Sequence, residues 1–233
     1  MKTCLNCDEP LTGSFCYVCG QKASTRQINW KTFLQDLPRS LFNLEHGFWY
    51  TLKELSLRTR SALDGYLSGK RVLYFKPIQY AILGITLYTI LQAFNPLDPP
   101  RIEGLREENE LYGTGYAVGK LIGDNLKFYW LLGIFLYAFP AKLLFRKYNF
   151  TEHMVICAYV LGHTALLASL SIPFLSVPIM FNPFIYLFIG IMYFRLFKDP
   201  VNPLGTLGAV IGHLFMCVII YFGLPIVYYY VVN

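Results

Sequence analysis

Apolar positions follow two different rules along this chain. Between Ile28 and Leu55 they recur at steps of mostly three or four: Ile28, Phe33, Leu34, Leu37, Leu41, Leu44, Phe48, Leu52 and Leu55. That spacing lines one face of a helix, with breaks expected at Pro38 and Gly47. Trp30 and Trp49 lie in the same stretch. From Pro77 onward the rule changes to long blocks with almost no charge. Pro77–Phe94 is uncharged, residues 128–145 carry only Lys142, which can snorkel near the helix end, and residues 154–194 are uncharged throughout. One helix over that third block would reach roughly 60 Å, about twice the hydrocarbon thickness of a bilayer. It has to be two spans, with the turn marked by Pro173, Pro178, Asn182 and Pro183. A last block covers residues 204–232. The pattern predicts an all-α polytopic membrane protein of about five transmembrane helices.

Composition narrows the class further. The chain is 55% hydrophobic and only 15% charged, against about 25% charged for ordinary soluble domains. The net charge of +6 does not make nucleic acid a partner, because the basic residues sit at the ends of apolar blocks. Lys53, Arg58, Arg60, Lys70, Arg71 and Lys76 precede the first span. Arg146 and Lys147 follow the second, and Arg195 and Lys198 follow the fourth. The loop between the first two spans instead carries Asp98, Glu103, Glu107, Glu108, Glu110 and Asp124 beside a few cations. Basic and non-basic loops alternate, so the positive-inside rule expects a cytoplasmic N-terminus and a periplasmic C-terminus in a bacterial inner membrane. The N-terminus itself reads as a metal module rather than the apolar region of a signal peptide.

That module rests on four cysteines, Cys4-Leu-Asn-Cys7 and Cys16-Tyr-Val-Cys19-Gly20-Gln21. Zinc takes four tetrahedral ligands and favours thiolates, and each Cys-x-x-Cys turn aims two sulfurs at one point. Pro10 and Gly13 supply a hairpin that returns the second pair to the first. Gly20 allows the positive φ that such knuckles need. Some twenty residues bury too little to fold alone, so metal binding supplies the folding energy. Two disulfides are the rival reading, disfavoured by the cytoplasmic placement. Four thiolates leave no open position for water, which expects one structural Zn2+ per chain, not a catalytic one. The organisation expected is a zinc ribbon over residues 1–22, an amphipathic cytoplasmic connector over 23–71, and a five-span membrane domain over 72–233. The connector either lies on the inner leaflet or packs on the cytoplasmic ends of the spans; both stay open.

The stretches Leu-Asn-Cys7, Phe-Cys16-Tyr-Val-Cys19-Gly-Gln21, Tyr66-Leu-Ser-Gly69-Lys70-Arg71-Val-Leu-Tyr74-Phe-Lys76-Pro77 and Phe150-Thr-Glu152-His153 together resemble a bacterial membrane-protein family of unknown function, domain of unknown function 3667. The Gly-Lys-Arg-x-x-Tyr-x-x-Pro stretch is the most specific part. The family often has Pro-Gly where this chain has Leu57-Arg58. The resemblance implies an N-terminal zinc ribbon on a multi-span domain and no activity.

Three sets of residues are candidate functional features besides the cysteines. Lys70, Arg71, Tyr74 and Lys76 put cations and an aromatic at the inner interface, which suits anionic headgroups, although topology anchoring is the simpler reading. His163 and His213 follow glycines in the third and fifth spans, each nine residues past a span start, and are expected at equal depth, facing each other. Such a pair could bind a metal or pass a proton; packed neutral histidines are the simpler reading. His153, with Glu152, lies at the mouth of the third span as a polar partner or a helix cap. Gly115, Gly119 and Gly123 form a stripe for close helix packing, and Cys157 and Cys217 read as small apolar fillers. No Asp or Glu falls inside a span, and no catalytic motif appears. The function expected is therefore a non-enzymatic, zinc-binding membrane scaffold or adaptor that presents its ribbon to a cytoplasmic protein partner. The alternative is a small-solute transporter or membrane enzyme built on His163 and His213. The lipid bilayer is a partner in either case, and a homo-oligomer stays open.

Overall fold

The computed structural model describes residues 2–25, 47–95, 126–175, 179 and 182–232. The first part of the amphipathic stretch with Trp30, the acidic loop, the stripe of Gly115, Gly119 and Gly123, and Pro178 lie outside the described residues. Among the described residues there are six α-helices, one short 3-10 turn and no strand. The helices are α1 Phe48–Ser68, α2 Pro77–Phe94, α3 Leu126–Leu144, α4 Phe150–Ala168, α5 Pro183–Phe197 and α6 Pro203–Val232.

Local chemistry sets most of these boundaries. Proline stands at the first position of α2, α5 and α6, where its missing N–H costs nothing. Asn149 and Glu152 close a capping box on α4: each side chain accepts the other's backbone N–H, at 2.9 and 2.8 Å. Glu152 is thus a helix cap, one of the two roles expected of it. Gly69 ends α1 in the left-handed region (φ 117°).

The described part of the amphipathic stretch, α1, is bent. Arg58 leaves helical geometry (φ −134°, ψ 46°). Tyr50 and Tyr66, sixteen positions apart, both set their rings against Tyr74, at 5.2 and 5.9 Å. A straight helix would separate those two positions by about 24 Å. The bend falls at Leu57-Arg58, so the chain turns there without the Pro-Gly of the resembled family.

Buried from His153 to Ala165, α4 is the centre of the fold. Helices α2, α3 and α5 pack on it, α6 packs on α3 and α5, and α1 packs on α4 and α5. Apolar on every side, α4 makes sense only when surrounded. Its contact with α2 is closest at Gly162: a Cβ added there would lie 2.6 Å from the Tyr80 carbonyl. The small-residue contact lets two backbones touch. Four fully buried tyrosines, Tyr80, Tyr88, Tyr159 and Tyr193, each find a hydroxyl partner: His163, Asn182, the Phe75 carbonyl and Cys157.

By length and composition, three helical stretches among the described residues can cross a membrane: Pro77–Phe94, Phe150–Ser171 and Pro203–Ile220. Gly133–Leu144 and Pro183–Phe197 are apolar but shorter. The 15 residues of α5 reach about 22 Å, less than the ~30 Å hydrocarbon core. Of the five spans expected, three are matched among the described residues by helices long and apolar enough to cross a membrane.

Candidate metal centre

Residues 2–23 are one turn built twice, twelve residues apart. Asp8 donates its N–H to the Cys4 carbonyl at 2.9 Å, and Gly20 does the same to Cys16 at 2.9 Å. The Cys4 N–H reaches the Glu9 carbonyl at 2.8 Å, as the Cys16 N–H reaches Gln21. Isolated bridges pair Thr3 with Pro10 and Phe15 with Lys22. Both turns close through a left-handed residue, Asp8 at φ 61° and Gly20 at φ 72°. Aspartate tolerates that region because its short side chain bonds locally. Gly20 takes the positive φ expected of it.

The two turns bring Cys4, Cys7, Cys16 and Cys19 together, with every sulfur within 4.8 Å of the others. The closest approaches are 3.5 Å for Cys4–Cys19 and Cys7–Cys16, and 3.6 Å for Cys7–Cys19. Sulfurs placed tetrahedrally about 2.3 Å from one cation stand about 3.8 Å apart. A disulfide needs about 2.05 Å, and all four cysteines are free thiols. The set fits one soft cation, zinc or iron, with a closed shell. The Cys19 backbone N–H draws the Cys16 thiol down from 9.0 to about 7, against burial and with help from the Val18 amide. Against the pull of the Glu9 amide, burial and the facing thiols push Cys7 up to about 12. Crowded thiols share their protons in this way, and a divalent cation displaces them.

The same module is held against the helical part by Leu5 of its first turn and by Gln21 just after its second. Gly69 lies under Leu5: a Cβ added to Gly69 would stand 2.6 Å from the Leu5 Cδ1. Gln21, only 3% exposed, accepts the Arg71 backbone N–H on its side-chain oxygen at 3.2 Å. These docking residues escaped the sequence reading. The signal was the twelve-residue repeat: Leu5 and Tyr17 are equivalent, as are Glu9 and Gln21, and in each pair one member docks on the helical part while the other does not.

The basic turn between α1 and α2 is not a single surface. Lys70 is exposed. Arg71 lies 5.6 Å over the Tyr66 ring and carries the bond to Gln21. Tyr74 is held between Tyr50 and Tyr66, and half-buried Lys76 precedes α2 as its N-cap.

The expected pairing of His163 with His213 does not form. His163 contacts Tyr80 through Nδ1 at 2.9 Å and Ser56 through Nε2 at 3.2 Å. Ser56 spends its one proton on the Leu52 carbonyl, so Nε2 carries the hydrogen and Nδ1 accepts from Tyr80. His213 instead lies 4.4 Å from the Tyr193 ring, near Phe145 and Tyr137, with Cys217 sulfur at 3.7 Å. The equal-depth argument failed on register. Tyr193 also meets Cys157 at 3.1 Å, so His213 shares its surroundings with the part of α4 that precedes His163. His153 is fully buried, bonded through Nε2 to the Phe145 carbonyl at 2.7 Å, and its Nδ1 has no hydrogen-bond partner among the described residues.

Residues 45–89 match a family model described as "Protein of unknown function (DUF3667)". The match covers 45 of the chain's 233 residues. It takes in α1, the Gly69–Arg71 turn and α2 as far as Thr89. The four cysteines and the Phe150-Thr-Glu152-His153 stretch lie outside the matched residues. No curated protein and no solved structure matches the chain.

Proposed function

We propose that this chain is a zinc-binding, five-span membrane scaffold whose N-terminal ribbon recruits a protein on the cytoplasmic side. One observation carries the reading. The two turns of the metal module are equivalent in backbone, and the module docks through Leu5 of the first and Gln21 just after the second, while the apolar side chains of the second turn face outward. Phe15, Tyr17 and Val18 are 56, 72 and 58% exposed. A module that uses one face for anchoring and leaves an apolar one outward suits an adaptor. The metal supplies folding energy to a segment with almost no core, and Cys4, Cys7, Cys16 and Cys19 hold it. Zinc is favoured over iron because a structural closed shell asks for no redox change.

The membrane part follows the three-part division at residues 22 and 71. It uses α2, α4 and α6 as full spans and α3 and α5 as shorter ones, with the N-terminus cytoplasmic in a bacterial inner membrane. Packing supports this direction of travel. Tyr159 meets the Phe75 carbonyl near the start of α2 and the Asn95 side chain meets Ile172 near its end, so α2 and α4 run parallel, as alternate spans must. The separate surroundings of His163 and His213 weigh against a transport or catalytic site built on that pair.

The test is affinity capture in mild detergent with metal analysis, comparing wild type with Phe15→Asp/Tyr17→Asp. We expect one zinc per chain in both, and a stoichiometric protein partner held by wild type alone. A captured set identical for the two proteins overturns the adaptor reading.

A further inference from the structure

Helices α5 and α6 leave a groove of about 630 Å³ between them. Gly190 forms part of its lining; the nearest side chain to a Cβ added there is Leu214, at 3.4 Å. The walls are apolar and open outward: Leu187 is 54% and Ile211 59% exposed. Along α6 the groove runs from Leu204 to Leu214, ten residues or about 15 Å, which is half of a ~30 Å hydrocarbon core and hence one leaflet. One end is polar in a specific way. Arg195 and Lys198 line it, and among the described residues no carboxylate lies within ion-pair distance of either. Arg195 gives one N–H to the Ser56 carbonyl at 2.7 Å, which fixes the guanidinium and leaves further donors. The Lys198 ammonium sits 5.9 Å over the Phe194 ring.

We propose that this groove binds an anionic phospholipid of the cytoplasmic leaflet, its phosphate on Arg195 and Lys198 and an acyl chain along Gly190. The inference rests on the membrane reading above. Charge complementarity selects the occupant: a rigid guanidinium fork grips phosphate, an ammonium beside it adds a second charge, and apolar walls of one-leaflet length accept a single chain. The basic α1–α2 turn is the weaker candidate, because Arg71 and Tyr74 already serve the internal packing described above.

Native mass spectrometry of the full chain tests the assignment, after extraction from vesicles of phosphatidylethanolamine and phosphatidylglycerol in equal parts. Wild type should retain phosphatidylglycerol in preference. Arg195→Gln/Lys198→Gln should weaken retention about 25-fold, from two cations each worth about a factor of five. Leu207→Trp fills the groove from an exposed wall and should displace the lipid without touching the Ser56 contact, so the test survives if the double variant misfolds. Lys70→Gln should change nothing. Equal retention of both lipids, an equal loss in Lys70→Gln, or a lipid-free dimer closing the groove each overturns the site. Recovery of the chain without detergent would instead overturn the membrane reading itself.

Discussion

The two turns of the metal module share a backbone and differ in what they face. In the first, Leu5 sits on Gly69; in the second, Tyr17 at the same position is 72% exposed. After the first, Glu9 receives the Tyr17 hydroxyl at 3.1 Å on the surface; after the second, Gln21 is buried against Arg71. One repeated fold thus carries two jobs, and only the side chains between and just beyond the cysteines tell them apart. The metal should not distinguish the turns, whereas docking should.

The largest effect tests what the turns have in common. Cys4→Ser/Cys7→Ser and Cys16→Ser/Cys19→Ser should both remove the metal completely. Structural zinc in such peptides is worth about 10–16 kcal/mol, far more than so small a module can replace. Elemental analysis of purified protein reads the result. Metal retained by either double variant would mean that the turns do not share one site.

The next two effects separate the turns. Gly69→Leu should destabilise docking by about 2 kcal/mol or more, since it forces a side chain into left-handed geometry and into Leu5. Tyr17→Asp should stay within about 0.5 kcal/mol. Hydrogen exchange at the module's amides reads both, and metal content should hold in each. A smaller contrast follows at the residue after each turn. Gln21→Ala leaves the Arg71 N–H without its partner and should cost about 1–3 kcal/mol. Glu9→Ala should cost next to nothing. Equal losses in that pair would remove the distinction between a docked face and an open one.

Legibility differed between the two halves of the molecule for the same physical reasons. Apolar blocks and prolines marked the helices closely: Pro77–Phe94 was read to the residue, and α3, α4, α5 and α6 within a few positions. The four ligands were legible because metal chemistry dictates residue type and spacing. What stayed hidden depended on register between elements. Helix lengths alone cannot give the offset between α4 and α6, and so the expected facing of His163 and His213 does not follow: His163 meets Tyr80 and Ser56, whereas His213 meets Tyr193. The bend at Arg58 was likewise invisible, since neither leucine nor arginine breaks a helix by propensity. Docking of Leu5 on Gly69 depends on a contact across more than sixty residues of sequence, which no local pattern records.

The smallest effect probes how far the two turns are equivalent in backbone alone. Asp8 and Gly20 hold the same left-handed place, with φ of 61° and 72°. Gly20→Ala adds a Cβ with open space around it, so its cost is conformational only, about 1–2 kcal/mol. Asp8→Gly relieves that strain but adds chain entropy to the unfolded state, and the two terms nearly cancel. Because folding and metal binding are one equilibrium in such a module, both changes read out as metal affinity in a chelator competition. Gly20→Ala should weaken affinity roughly five- to thirty-fold, at about 1.4 kcal/mol per factor of ten, and Asp8→Gly by less than about twofold. If Asp8→Gly weakened binding as much as Gly20→Ala, the Asp8 carboxylate would be holding its turn through an interaction that Gly20 lacks. The two turns would then be alike in shape but not in what maintains it.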